Sequence, residues 1–264
     1  MMRTVTFFNK KGGTGKTTLS VLFGSWLAYC VGEEVFGMDF DFPDFQYYKM
    51  RETDTRLLVP GNAAFVKYAA GNRPYPLYKV DLEKGTDGKP DHLKVQEFIR
   101  SLRNRKAGGD GYLILDFPGQ FETDSMALHF AKAGLIDLIV FPVDTDRQSR
   151  SAAMFVNSVL QSERMRKLSG KPEGQDVLCV WNRESRSERT GKRDWYGAYE
   201  EQFRALGMPV ASTRMRDIVI ARRDPDTFGF IRSTVCWPEA NIRKACPYIH
   251  DLFREIKERL DKHC

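Results

Sequence analysis

The chain has 264 residues, 42% of them hydrophobic and 29% charged, and a formal net charge of +6. That balance belongs to a globular protein and excludes wholesale disorder, while the basic excess favours a polyanionic partner such as nucleic acid. The longest apolar stretch, Leu19 to Val31, carries Ser and Gly and is too short to span a bilayer. The cysteines (Cys30, Cys179, Cys236, Cys246 and Cys264) are scattered, with no C-x-x-C pair. They read as free thiols of a reducing cytoplasm, not as a disulfide framework, zinc site or iron–sulfur site. Hydrophobic strand runs recur at fairly even intervals to about residue 211 with no Ser/Gly-rich linker, so a single domain over 1–264 is expected.

Thr4 to Phe8 is a β-branched and aromatic run that predicts a first strand, closing in a lysine- and glycine-rich turn. Because that turn is under way by Lys11, no secretory signal is expected ahead of it. Leu19 to Tyr29 predicts a buried helix, and Glu34 to Asp39 a second strand ending in acidic residues. Residues 51–92 are the least legible, with Gly-Asn pairs, prolines and the Lys84 to Pro90 turn; a short strand over Tyr78 to Leu82 is expected among them. Leu93 to Arg105 has the spacing of an amphipathic helix, stopped by Ala107-Gly108-Gly109. Tyr112 to Asp116, Leu138 to Pro142 and Val177 to Trp181 are near-continuous apolar runs, as central parallel strands covered on both faces require. The stretches near 122–134 and 148–168 have helical composition. Strand and helix alternate, so the expected fold is α/β, a doubly wound, mostly parallel sheet with helices on both faces. In such sheets ligands sit at the carboxyl ends of the strands. Tyr248 to Leu260 predicts an amphipathic helix, apolar at 249, 252, 253, 256 and 260, whose mixed charges favour packing on the sheet over a membrane.

Three polar signatures fall at strand ends. Lys11-Gly12-Gly13-Thr14-Gly15-Lys16-Thr17-Thr18 lies between the first strand and the first helix, the context a phosphate-binding loop needs. Its glycines let backbone N–H groups close around a phosphate, and the helix amino end adds about half a positive charge. Lys16 can reach the β- and γ-phosphates and Thr17 can place its hydroxyl on Mg²⁺. The general pattern has Gly at position 10, where this chain has Lys10. Asp39-Phe40-Asp41 ends the second strand, where a carboxylate can orient a water in line with the γ-phosphate. Leu113-Ile114-Leu115-Asp116-Phe117-Pro118-Gly119 is an apolar strand ending in Asp, as a Walker B element holding Mg²⁺ through its water shell requires.

Together these residues resemble the ParA/MinD group of deviant Walker A P-loop ATPases. Lys11 matches that group's extra signature lysine, and its members often lack the Gly at position 10. The resemblance implies a Mg²⁺-dependent ATPase in which Lys11, Lys16 and Asp41 are catalytic, Asp41 positioning the attacking water. By the same resemblance, Gly12, Gly13, Thr14, Gly15, Lys16, Thr17 and Thr18 bind ATP, and Thr17, Asp39 and Asp116 serve the metal. Gly119 corresponds to the glycine of the second switch. Asn182 stands where relatives hydrogen-bond the adenine, and Pro225 to Gly229 resembles a segment near the base pocket. The chain departs from the group at Phe42-Pro43-Asp44, where many relatives have Pro-Gln, and residues 44–92 match nothing in it.

The Arg183 to Arg193 loop and the arginines at 214, 216, 222, 223 and 232 could supply the cationic face that non-specific DNA affinity requires. A solvated surface is the plain alternative. The resemblance implies a homodimer closing around ATP, non-specific DNA binding, a partner protein that stimulates hydrolysis, and a role in partition or positioning of plasmid or mobile-element DNA. No amino-terminal helix-turn-helix is seen, so operator binding is not expected. Three rivals stay open: a MinD-like membrane positioner, an ATP-dependent small-molecule synthetase of the same superfamily, and a nucleotide-gated scaffold without useful turnover.

Overall fold

Six strands are found among the described residues: β1 Arg3–Phe7, β2 Glu34–Asp39, β3 Leu77–Lys79, β4 Gly111–Asp116, β5 Leu138–Val143 and β6 Asp176–Trp181. In this computed structural model they form one sheet in the order β3-β2-β4-β1-β5-β6, and each described pairing is parallel. The helices between and after them are α1 Lys16–Trp26, α2 Gln46–Arg56, α3 His92–Arg103, α4 Met126–Lys132, α5 Arg147–Arg166, α6 Trp195–Ala205, α7 Glu239–Ala245 and α8 Ile249–Asp261. The structure describes residues 2–59, 66–67, 69–81, 92–104, 111–119, 126–166, 176–184, 195–216 and 232–262.

The chain groups into two interleaved compact units. The first comprises Met1–Thr4, Thr17–Pro118 and Val219–Pro247; the second comprises Val5–Lys16, Gly119–Ile218 and Tyr248–Cys264. In the first unit every residue of β4 is buried, as covering on both faces demands. The β2–β4 register runs from Glu34 opposite Gly111 to Asp39 opposite Asp116, so two acidic residues meet at the same strand end. In the second unit β5 is likewise wholly buried, and its register pairs Val5 with Leu138 on one side and Val143 with Trp181 on the other. The loops after β1, β5 and β6 therefore leave from one edge of that unit.

The strand expected over Glu34 to Asp39 is β2 with the same bounds, and the other expected strands and the helices near 93–105, 122–134, 148–168 and 248–260 are present with shifted ends. The helix expected over Leu19 to Tyr29 is α1 followed by a π-helical turn, Leu27–Val31, which ends at Gly32 in the left-handed region (φ 86°). The strand expected over Tyr78 to Leu82 is the shorter β3. Past β6, Val210 makes only an isolated bridge to Cys179, so the apolar run near 211 adds no strand among the described residues. Helix α2 falls where the sequence is hard to read, because it buries only Tyr47 and Asp54 and so has no apolar stripe. In α8 the residues at 249, 252, 253, 256 and 260 are all buried, so its apolar face is spent inside the fold. No described helix is long and apolar enough to cross a membrane.

Candidate functional site

In the second unit the loop after β1 is rooted on Asn9, which is buried and donates from Nδ2 to the carbonyls of Pro142 (2.9 Å) and Ser149 (3.2 Å). The chain then turns through Gly13 (φ 73°) and Gly15 (φ 91°), left-handed angles that glycine adopts at little cost. The loop curls around the carbonyl of Lys11, which accepts from Thr14 Oγ1 at 3.3 Å and from Lys16 Nζ at 3.4 Å. A β-carbon on Gly119 would stand 2.9 Å from Lys16 Nζ, so a glycine there leaves the lysine its space. Helix α1 begins at Lys16, and the N–H groups of its first turn have no helical acceptors. Glycine loop, lysine and helix amino end converge on one kind of ligand, an anion with several oxygens such as a phosphate.

Asn182, directly after β6, donates from Nδ2 to Thr14 O at 2.6 Å. A β-carbon at Gly15 would come within 2.5 Å of that amide nitrogen, so the asparagine is pressed against the loop. In the structure it thus straps the phosphate loop. Arg183, itself left-handed at φ 66°, lies beside the same loop, its guanidinium 3.9 Å from where a Gly13 β-carbon would be. Lys11 Nζ pairs with Asp146 and lies 4.0 Å from Asp144, while its backbone N–H donates to Asn9 Oδ1 at 3.0 Å. The hydrogen bond from Lys11 holds the Asp146 carboxyl below its usual range. Neither aspartate belongs to a motif, and Asp146 is 135 residues from Lys11 along the chain, so spacing gives no hint of the pair.

In the first unit the acidic residues converge. Asp39 and Asp116 are both fully buried, and Asp41 is half-buried. Asp39 spends its oxygens on backbone: Oδ1 accepts from Asp41 N at 3.0 Å and Oδ2 from Tyr48 N at 2.9 Å. It thereby pins the turn through Asp41 and the start of α2. That turn contains a cis Phe42–Pro43 bond and closes with Phe45 N donating to Asp41 O at 2.6 Å, which gives the Phe42-Pro43-Asp44 departure a definite shape. Asp116 differs. Oδ1 accepts from Ser20 Oγ at 3.0 Å, but Oδ2 is buried with no hydrogen-bond partner among the described residues. Burial, and after it the Asp39 carboxylate, push the Asp116 carboxyl up to about 7, against the lowering effect of the Thr17 and Ser20 hydroxyls. A buried carboxylate oxygen with no donor, beside a second acid and a threonine hydroxyl, fits a divalent cation. Asp116 and Thr17 would hold it, with Asp39 behind them. Ser20 has no place in the sequence motifs; only its position one helical turn beyond Lys16 hints at it.

The arginines divide. Arg214 pairs with Glu200 (3.1 Å) and Glu184 (3.9 Å) and stacks on Tyr196, so it is spent within the fold. Arg216 lies 5.1 Å from the ring centre of Tyr248. Arg232, half-buried in the first unit, donates to Thr18 Oγ1 at 3.2 Å. Arg186, Arg189, Lys192, Arg193, Arg222, Arg223 and the Pro225 to Gly229 segment lie outside the described residues.

No protein-family model and no curated protein matches the sequence. Solved structures do match in fold. The MinD cell division protein of Aquifex aeolicus is 18% identical with a TM-score of 0.60, covering 97% of each chain. A McdA–ATP complex from Cyanothece is 17% identical with a TM-score of 0.59, over 98% of this chain and 96% of that one. A ParA family ATPase from Chlorobium tepidum is 14% identical with a TM-score of 0.55, over 89% and 90%. At such identities the likeness is one of fold, and it extends over nearly the whole chain. The chain has the ParA/MinD-like P-loop ATPase fold.

Proposed function

We propose that the protein is a Mg²⁺-dependent ATPase of the ParA type, acting as one domain over residues 1–264, with 44–92 as its variable region. The observation that carries this reading is Asp116 Oδ2, a buried acceptor with no donor among the described residues, in a cluster of acids at the end of the strand that a Walker B element would occupy. A phosphate-shaped loop precedes α1, whose first turn carries Thr17, so the sequence supplies anion and cation ligands in succession. Gly12, Gly13, Thr14, Gly15, Lys16, Thr17, Thr18 and Asn182 bind the nucleotide, Lys11 and Lys16 are catalytic, and Asp41 orients the attacking water. Asp116 and Thr17, with Asp39 in support, would hold Mg²⁺, which would supply positive charge to neutralise the phosphates. In this reading ATP closes a homodimer that binds DNA without sequence preference and positions a plasmid or mobile element, with a partner protein stimulating hydrolysis in the cytoplasm. The buried apolar face of α8 speaks against the membrane-positioner alternative.

The test is ATP binding and phosphate release with and without Mg²⁺. Lys16→Ala should abolish nucleotide binding, whereas Asp41→Ala should retain ATP and lose turnover by about 10²-fold or more. Wild-type protein that neither binds nor hydrolyses ATP would refute the reading. Unaltered hydrolysis in Asp41→Ala would remove that residue from its role.

A further inference from the structure

Arg232 stands 214 residues from Thr18 in sequence, yet its NH1 donates to the Thr18 hydroxyl at 3.2 Å. Among the described residues this is the one hydrogen bond its guanidinium makes, which leaves most of its five donors unassigned. The backbone that carries it is held from several sides. Ser233 O accepts from Ser25 Oγ, and Thr234 O accepts from Tyr29 Oη at 2.8 Å and from Arg51 NH2 at 2.9 Å. Asp54 Oδ2 accepts from Thr234 N at 2.6 Å and from Thr234 Oγ1 at 2.7 Å. The donors sit on α1, the turn after it, and α2, so the segment is braced on the helix whose first turn carries Thr17 and Thr18.

This bracing has an electrostatic cost. A helix amino end already carries about half a positive charge, and a full cation beside its first turn is repelled. Burial works against the charged guanidinium, and the Asp54 carboxylate favours it only from beyond ion-pair distance, so no side chain among the described residues pairs with that charge directly. An anion would. The interior setting also sets Arg232 apart from the arginines suited to DNA, since it is half-buried against a hydroxyl of the phosphate-loop helix.

We propose that Arg232 is a second cationic ligand of the bound nucleotide, contacting the phosphates that ATP and ADP have in common; this rests on the ATPase reading above. Lys16 serves the β- and γ-phosphates, and the loop's backbone N–H groups cradle the α- and β-phosphates. The cation on Thr18, further along the helix than Lys16 and Thr17, serves the phosphates that remain after hydrolysis. Its hydrogen bond to Thr18 aims the guanidinium fork, and the Asp54–Thr234 anchorage keeps it aimed.

The experiment compares the wild type, Arg232→Met and Arg232→Lys for binding of ADP and of a non-hydrolysable ATP analogue by calorimetry, together with unfolding midpoints without nucleotide. Arg232→Met should weaken both ligands by the same factor, about ten- to a hundredfold, the range for hydrogen bonds to a charged group. Arg232→Lys should restore part of that loss. The unliganded midpoint should be unchanged or raised, because a half-buried cation near a helix amino end is removed. Equal affinity in wild type and Arg232→Met would overturn the assignment, as would a loss confined to the ATP analogue. A parallel fall in midpoint and affinity that Arg232→Lys does not relieve would make Arg232 a structural residue only. If the wild type binds neither ligand, the ATPase reading itself fails and the inference with it.

Discussion

In the proposed reading Asp116 holds two needs in one side chain: it must be buried to end a central strand, and it must be charged to hold a cation. Without the cation these conflict, and burial with the neighbouring Asp39 raises its carboxyl from the ordinary 3.8 to about 7. The sign follows from proton binding. Above the unfolded value an unfolded chain has lost this proton, whereas the folded chain retains it until about 7. The stability that the protonated form contributes is thus full below about pH 4 and is lost as pH rises through 7. In chelator, the folding free energy of wild type relative to Asp116→Asn should fall with pH between those values, at up to about 1.4 kcal/mol per pH unit for one proton. Urea titrations across that range would measure it, and parallel pH profiles for the two proteins would contradict it. ATP with Mg²⁺ should flatten the wild-type slope, because the ligand pair binds the ionised form.

At the scale of elements, α2 shows how a helix is held without an apolar stripe. Its inward residues are Tyr47 and Asp54, and Arg51 between them reaches Tyr75 O at 2.7 Å and Thr234 Oγ1 at 2.9 Å. Tyr47 Oη and Tyr75 Oη are 2.8 Å apart, so one hydroxyl donates to the other. Asp54 gathers Thr234 N, Thr234 Oγ1 and Ser233 Oγ on a single oxygen, and burial pushes its carboxyl up despite those donors. Asp54→Ala would leave buried donors without an acceptor, each costing about 1–3 kcal/mol, so a loss of about 2–4 kcal/mol in chemical denaturation is expected. Asp54→Asn keeps an acceptor and should cost about 1 kcal/mol. Equal effects of the two substitutions would mean that the oxygen acceptor is not what holds α2 and the 232–237 segment. Since Arg232 precedes that segment, Asp54→Ala should also weaken nucleotide binding.

For the molecule as a whole, the excess of +6 charges and the signature lysine bear on assembly. In the proposed reading Lys16 serves its own chain's nucleotide, which leaves Lys11 for another task. In the ParA-type reading it crosses to a partner subunit's ATP, where two sets of phosphates and carboxylates would otherwise repel. Here Lys11 rests on Asp146 and Asp144 of its own chain. An exposed ion pair of this kind is weak and readily exchanged for a phosphate. The expected outcome is that Asp41→Ala accumulates dimers with ATP and Mg²⁺, and that adding Lys11→Ala abolishes them while monomers still bind ATP. Sedimentation would report both. A dimer that survives loss of Lys11 would leave this lysine as a surface partner of Asp146 and nothing more.

The sequence by itself determined the features that depend on near neighbours. A β-branched strand, a glycine turn and an apolar helix in succession place Lys16, Thr17 and Thr18 where a phosphate loop has them, because strand and helix periods are local properties. The continuous apolar run from Tyr112 likewise delivers Asp116 to a strand end, since a strand buried on both faces admits few polar residues before it stops. Tertiary structure alone decided what lies between distant segments. Asn182 reaches Thr14 across 168 residues, and Thr234 reaches Asp54 across 180. Helix α2 remained illegible for the same reason, as its anchors are polar groups whose partners come from far along the chain. Spacing along a chain encodes which face a residue occupies, but not which remote donor meets it there. The strap on the phosphate loop, the pairing of Lys11 and the placing of Arg232 on Thr18 are all contacts of that second kind.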